Sequence, residues 1–197
     1  FDSRGGLRWQ LAARDAGLSF QDVAATFACA LGFEASQEST PHLAMLMSRT
    51  LADAGLATQA AKKKFSRARP FMVLEQTSCT PEEERSLRTN GSYPSGHASR
   101  GWAVALVLAQ LVPDRQDVLL ARGMAFGQSR VHCGVHWQSD VNAGRVVGSA
   151  TFAALGNSAA FLRQASLARA EIRELSESSG APDAQKCAAE RAALAEP

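Results

Sequence analysis

The chain has 197 residues, of which 46% are hydrophobic and 20% are charged, and its formal net charge is +2. This length suits one domain, or one domain with a tail, and the composition excludes wholesale disorder. The small net charge favours neither a nucleic-acid-binding protein nor a membrane-surface protein. The best apolar run, residues 101–112, is too short for a transmembrane helix, which needs about 20 apolar residues. Phe1 is not an initiator residue, so the start of the chain predicts a processing or cloning boundary.

Apolar residues at helical spacing dominate the first part of the chain. They recur every three or four residues over 7–32, where Gly17 predicts a break. Ser19 followed by Asp22 has the pattern of a capping box, so we expect a second helix to begin there. The pair Thr40–Pro41 is typical of an N-cap with proline at the first helical position, and it predicts a third helix.

The remaining chain alternates between one loop-rich stretch and long helical patterns. Residues 69–95 contain several prolines and an Asn-Gly pair, which predicts a connector with one short helix. Further helices are predicted over residues 96–111, 115–130 and 139–174, the last interrupted near Gly156. The sequence therefore predicts an all-α fold: a compact single-domain helical bundle over residues 1–175, with a tail or loosely packed last helix over 176–197.

Four cysteines are present, and none belongs to a CxxC pair. A zinc ribbon or a thioredoxin-like site is therefore not favoured. Two disulfides in any of three pairings, or four buried free thiols, are both compatible with the sequence. The residues are Cys29, Cys79, Cys133 and Cys187.

The first cluster of chemical interest is a basic run that ends in Arg69 and Pro70. Lys62 and Arg69 are seven residues apart, which on a helix is two turns and one face, with Cα atoms about 10 Å apart. An ammonium and a guanidinium so placed can converge on one phosphate. Taken alone, such a run is more typical of a solvated helix end, which is our interpretation of Lys63, Lys64 and Arg67.

The second cluster, residues 93–97, reads Tyr-Pro-Ser-Gly-His. Ser95 can cap a helix that begins at Gly96, and the free N–H groups of that first turn attract an anion. His97 would then lie beside the anion, as a side chain able to donate a proton near neutral pH. Tyr93 fits the substrate entrance and a turn-packing role equally well.

The third cluster runs from Ser129 to Asp140. His136 and Asp140 are four residues apart, so the carboxylate can fix the imidazole tautomer and leave the other nitrogen free to attack, while Ser139 could cap their helix. Arg130 adds a strong anion donor. The spacing of His132, His136 and Asp140 also permits a metal site, but Gly134 interrupts the helix that such a site needs. We therefore expect His132 to support neighbouring site residues or to be structural, and not to be a catalyst.

The three clusters together have the order and spacing K-x6-R-P, P-S-G-H and S-R-x5-H-x3-D. This set resembles the signature of the type-2 phosphatidic acid phosphatase superfamily, which includes bacterial class A non-specific acid phosphatases, membrane lipid phosphatases and vanadium haloperoxidases. The flanking residues, such as Arg-Pro-Phe and His-Trp-Gln-Ser-Asp-Val, look most like those of the class A acid phosphatases. The resemblance is close over about residues 60–145, and no signature position departs from it.

The resemblance implies a soluble acid phosphatase that hydrolyses phosphate monoesters of broad range through a covalent phosphohistidine, without metal or other cofactor. His136 would be the nucleophile, Asp140 would orient it, and His97 would protonate the leaving group and then activate water. The ordinary histidine pKa of about 6.5 then predicts an acidic optimum and a bell-shaped profile. The phosphoryl oxygens would be bound by Lys62, Arg69, Ser95, Gly96 and Arg130.

The partners implied are small phosphate monoesters and inorganic phosphate, with no nucleic acid and no integral membrane segment. A homo-oligomer is compatible with the resemblance. A periplasmic or secreted location is expected, with the signal peptide already removed. Three rival functions are a vanadate-dependent haloperoxidase, which is usually much longer, a lipid phosphatase, and a phosphate-binding protein without turnover.

Overall fold

The computed structural model describes residues 4–178 and 181–196, and within these ranges the chain forms helices and no strand. The all-α prediction is therefore confirmed. Short 3-10 turns lie at Pro81–Glu83 and Pro113–Arg115. The helices are α1 (Leu7–Arg14), α2 (Phe20–Leu31), α3 (Pro41–Leu56), α4 (Gln59–Phe65), α5 (Pro70–Val73), α6 (Glu84–Leu87), α7 (Gly96–Leu111), α8 (Gln116–His132), α9 (Gln138–Leu155), α10 (Ala159–Ser178) and α11 (Ala184–Ala195).

Helix α7 lies at the centre of the bundle, where it packs against α3, α8 and α9. Most of its residues are apolar and buried, so several faces of the helix contribute to the core. Val104 and Leu108 of α7 belong to the same fully buried cluster as Phe27 of α2, Met47 of α3 and Leu119 of α8. The first turn of α7, which carries the second sequence cluster, is thus anchored on rigid structure.

The helix boundaries follow local chemistry, with one exception at α3. The capping box of Ser19 and Asp22 is present and starts α2. Thr40 lies at the N-cap of α3 but its side chain makes no capping bond. Instead Glu171 of α10 accepts hydrogen bonds from the N–H groups of His42 and Leu43, at 2.8 and 2.9 Å. This long-range cap joins α10 to α3, a contact that local sequence cannot reveal.

Both pairs of cysteines are disulfide-bonded, so the alternative of free thiols is wrong. Cys29 of α2 is bonded to Cys187 of α11, and α11 packs on α1. Cys79 in the connector is bonded to Cys133 at the end of α8. The last helix is therefore covalently held, and the domain division at residue 175 stays a prediction.

No helix within the described ranges combines the length and the apolar character needed to cross a membrane.

Candidate active site

Three separate stretches bring the eight predicted site residues to the region around the first turn of α7. They come from the end of α4 and the loop after it, from the start of α7, and from the end of α8 through the start of α9. Charged side chains are rarely buried without a reason, yet this set is buried throughout. Lys62 is 6% exposed, Arg69 2%, Arg130 3%, His97 9%, His136 5% and Asp140 0%.

The two cations of the first cluster converge, but not by sharing a helix as predicted. Helix α4 ends at Phe65 because Ser66 adopts a left-handed backbone conformation with φ 41°. Arg69 is extended and precedes α5. Lys62 Nζ donates to the Gly91 carbonyl at 2.7 Å, and Arg69 Nε donates to the carbonyls of Leu87 and Asn90. The same loop therefore holds both cations.

His136 lies between a carboxylate and a guanidinium. Its Nδ1 faces Asp140 Oδ2 at 3.4 Å, and its Nε2 faces Arg69 NH1 at 3.2 Å. The carboxylate accepts and the guanidinium donates, so Nδ1 carries the proton and Nε2 presents its lone pair. A lone pair on Nε2 has the chemistry of a nucleophile, and it lies next to a cation that can also hold a phosphoryl oxygen.

Arg67, which was expected to be solvated, is bonded to Asp140. Its NH1 lies 2.7 Å from Asp140 Oδ1 and 2.7 Å from Ser139 Oγ, and its guanidinium lies over the Trp137 ring. Helix α9 begins at Gln138, so Ser139 does not cap it. Asp140 Oδ2 also accepts from the Trp137 N–H at 2.9 Å. The carboxylate that orients His136 is thus fixed from three sides.

The start of α7 matches its prediction. Ser95 Oγ accepts from the Ala98 N–H at 3.2 Å, and Ser95 N–H donates to the Asp140 carbonyl at 2.9 Å. A Cβ at Gly144 would overlap the Ser95 carbonyl, so only glycine lets α9 approach this turn so closely. Tyr93 meets Phe65 edge to face, with 5.2 Å between ring centroids.

His97 is held by a residue that sequence reasoning missed. Its Nε2 lies 2.6 Å from the backbone carbonyl of Asp15, just after α1, and its ring stacks on Phe126. A carbonyl only accepts, so Nε2 carries a proton and Nδ1 is the atom free to gain or lose one. The Asp15 carboxylate is itself bound by Arg122, at 2.6 and 3.1 Å, and by Ser129 Oγ at 2.5 Å.

Arg130 approaches the site from α8. It is fully buried, donates to the Ala12 carbonyl at 3.3 Å, and lies 3.9 Å from Glu83, an acid outside the predicted site. Burial lowers the pKa of Arg130 to about 10, and Glu83 partly offsets this effect. The guanidinium remains charged at neutral pH.

The cations and burial together keep both imidazoles neutral. Burial and then Arg130 lower the pKa of His97 well below its ordinary value, although the bond to Asp15 raises it. Burial lowers the pKa of His136 strongly; the hydrogen bond with Asp140 raises it, and Arg69, Lys62 and Arg130 lower it further. Burial would raise the pKa of Asp140, but hydrogen bonds from His136 and the Trp137 N–H outweigh this and lower it. Burial also lowers the pKa of Lys62 to about 8 and that of Arg69 to about 10.

The alternative metal site receives no support from the geometry. Gly134 has φ 76° and ends the helical path between His132 and His136, as predicted. His136 faces a guanidinium and not a second ligand. Over residues 4–178 and 181–196, no three His, Cys, Asp or Glu side chains are grouped so that they could hold a metal ion.

Comparison of the sequence with known proteins identifies its family. The PAP2 superfamily matches residues 42–162. An acid phosphatase of Zymomonas mobilis is 42% identical over 190 residues, which cover 96% of this chain and 72% of that protein. Non-specific acid phosphatases of Salmonella typhimurium and Providencia stuartii are each 43% identical, over 87% and 85% of this chain and 69% and 68% of theirs.

The chain belongs to the PAP2 superfamily, the type-2 phosphatidic acid phosphatase superfamily that its motifs resemble. The enzyme class predicted from those motifs, a phosphoric monoester hydrolase of the acid phosphatase type, is confirmed by the same relatives.

Proposed function

We propose that this acid phosphatase hydrolyses a broad range of small phosphate monoesters through a covalent phosphohistidine on His136, without metal. The observation that carries the proposal is the tautomer of His136. With its Nδ1–H on Asp140, its Nε2 lone pair points at the Arg69 guanidinium, where a phosphoryl group would be bound.

The first step would exchange one bond to phosphorus for another. The Nε2 lone pair forms the N–P bond while the bond between phosphorus and the ester oxygen breaks, and its electron pair leaves with that oxygen. His97 supplies a proton from Nδ1, so the product leaves as an alcohol or phenol. Asp140 stabilises the positive charge that develops on the His136 ring.

The second step would reverse the role of His97. The imidazole, now neutral, takes a proton from water as that water attacks phosphorus. The N–P bond breaks, its electron pair returns to Nε2, and inorganic phosphate is released. The same histidine thus acts as acid and then as base.

Cations would supply most of the rate enhancement. Lys62, Arg69 and Arg130 surround the site with positive charge that is already desolvated and fixed, so little reorganisation is needed as charge moves in the transition state. Ser95 and the Gly96 N–H would complete the phosphate site at the start of α7. Because these groups contact only the phosphoryl oxygens, a broad substrate range follows.

Two disulfides favour an exported protein, since such bonds persist in oxidising compartments. A periplasmic or secreted location is therefore part of the proposal.

Hydrolysis of p-nitrophenyl phosphate in excess EDTA, from acidic to neutral pH, tests the mechanism. We expect the wild type to turn over in chelator, and His136→Ala and His97→Ala each to lose at least about 10²-fold in kcat. An alkaline quench with denaturant during turnover preserves an acid-labile N–P bond, and mass spectrometry kept at neutral or alkaline pH should then find a phosphoryl group on the peptide that contains His136. His132→Ala is the matched control and should keep most activity.

Loss of activity in EDTA would contradict the proposal, as would a His136→Ala variant that remains active. Loss of activity in EDTA would favour the site with His132, His136 and Asp140 as metal ligands, whereas an active His136→Ala variant would exclude His136 both as nucleophile and as ligand.

A further inference from the structure

Arg100 is a cation beside the phosphate site that the proposed mechanism does not use. It lies on α7, one turn after Gly96 and His97. A Cβ built on Gly96 would lie 3.7 Å from Arg100 NH1 and 3.5 Å from Lys62 Cε, so both cations border the same point. The charge of Arg100 also lowers the pKa of Lys62 and of His97.

The guanidinium of Arg100 is held through its Nε atom. Its Nε donates to the Leu51 carbonyl at 3.1 Å, and it packs where a Cβ at Gly55 would overlap it. Within the described part of the chain, no carboxylate forms an ion pair with Arg100, and its NH1 and NH2 atoms have no hydrogen-bond acceptor. A half-buried cation with two free N–H ends is suited to an anion from outside.

Arg100 lines a hollow of about 270 Å³ between the α1–α2 link, α3 and α7. Arg100 is the one charged residue among those described that line it. Leu18 and Phe20 supply part of the wall, a few residues after Asp15, whose carbonyl holds His97. Arg100 follows His97 by three residues on α7, so the cation of the hollow lies on the same helix face as the histidine that would protonate a leaving group.

We propose that Arg100 binds a second anionic group, a carboxylate or a second phosphate, on the leaving group of the substrate. The substrates favoured would be phosphate monoesters whose leaving group has a small apolar body and a negative charge. The apolar wall would contact the body, and the guanidinium would bind the charge. This inference rests on the proposed function, because it assigns the leaving-group side from His97.

The test compares 3-carboxyphenyl phosphate with its neutral amide, 3-carbamoylphenyl phosphate. The selectivity is the ratio of their kcat/KM values, in which differences in folding and in the phosphate site largely cancel. We expect Arg100→Gln to lower this ratio roughly tenfold, which corresponds to about 1.4 kcal/mol. Arg100→Lys, which keeps the charge, should retain part of the selectivity. The control Arg163→Gln, at an exposed position on α10, should match the wild type.

An equal ratio in the wild type and in Arg100→Gln, with both esters hydrolysed, would overturn the inference and leave the proposed function intact. If Arg100→Gln does not fold, a wild-type ratio that is the same at low salt and at high salt, where charge is screened, would likewise overturn it. A wild type that hydrolyses neither ester would instead contradict the proposed function, and the inference would fall with it.

Discussion

At the residue scale, the chemistry depends on how buried cations set the protonation of two histidines. Lys62, Arg69 and Arg130 pay a desolvation cost that appears as their lowered pKa values, and they in turn disfavour a charge on His136. The proposed nucleophilic attack requires a neutral His136. In the same proposal His97 has the opposite need, because it must be protonated when the leaving group departs.

A bound phosphate should resolve this conflict for His97. Its negative charge opposes that of Arg130, so anion binding should raise the pKa of His97 from the low value that burial and Arg130 impose. The fraction of protonated His97 at a given pH then increases on binding, and kcat should fall as pH rises through the raised pKa.

The measurement is an NMR titration of ¹⁵N-labelled histidine with and without inorganic phosphate, assigned with His97→Asn. We expect saturating phosphate to shift the His97 titration upward by at least about one pH unit. His42, which is bonded to Gln164 far from the site, serves as the internal control. The same titration midpoint in both samples would show that phosphate does not control this proton.

At the element scale, the sequence predicted the helices that carry the site but not all of the contacts between them. The start of α7 at Gly96 and its cap at Ser95 follow from local residue preferences, and they were correct. The prediction that Lys62 and Arg69 share a helix was wrong, because a seven-residue spacing is equally compatible with a chain that turns at Ser66. The two cations still converge, because both donate to carbonyls of one segment, residues 87–91. That segment is distant in sequence, so the spacing of the cations could not reveal it.

The residues that sequence reasoning missed act across elements. Asp15, Arg67 and Arg100 are ordinary surface types in helical or loop patterns, and no spacing links Asp15 to His97, 82 residues later. The resemblance to a known family predicted the residues of the reacting centre. Their supports could be found only from the packing of α1 against α8 and of α3 against α7.

Arg122 and Ser129 of α8 form a clamp on Asp15, just after α1, and this clamp should position His97. Arg122 and Ser129 hold the Asp15 carboxylate, and the Asp15 carbonyl holds His97 Nε2. Arg122→Lys keeps the charge but cannot make the bidentate bond, so the carbonyl should shift and proton transfer should slow. Poor leaving groups need that proton most, because their alkoxides are strongly basic.

We therefore expect Arg122→Lys to lower kcat/KM for an alkyl phosphate about tenfold more than for p-nitrophenyl phosphate. Arg169→Lys on α10 serves as the control, since its guanidinium donates to the Gln110 carbonyl away from the site. Equal losses for the two substrates would indicate a general structural defect and not a role in positioning His97.

At the scale of the whole molecule, α11 closes a network that begins at the active site. Glu190 of α11 lies 3.2 Å from Arg122 Nε, and Glu196 accepts from the Arg8 N–H of α1 at 2.8 Å. The disulfide between Cys29 and Cys187 fixes this helix against α2. The last helix thus supports, through Arg122 and Asp15, His97, which would transfer the proton in the proposed mechanism.

Removing that disulfide should cost more stability than removing the other one. Cys29 and Cys187 are 158 residues apart, whereas Cys79 and Cys133 are 54 apart, and a longer loop restricts the unfolded chain more. We expect Cys29→Ala with Cys187→Ala to lower the free energy of unfolding by about 2–5 kcal/mol, and by about 1 kcal/mol more than Cys79→Ala with Cys133→Ala. Urea denaturation at pH 7 measures both double variants. Glu190 of α11 also contacts Arg122. The Cys29→Ala, Cys187→Ala variant should therefore lose more activity on an alkyl phosphate than on p-nitrophenyl phosphate, as expected for Arg122→Lys, when the urea concentration approaches the unfolding midpoint. An unfolding midpoint equal to that of the wild type would contradict the stability prediction, and a leaving-group dependence equal to that of the wild type would contradict the view that α11 supports catalysis.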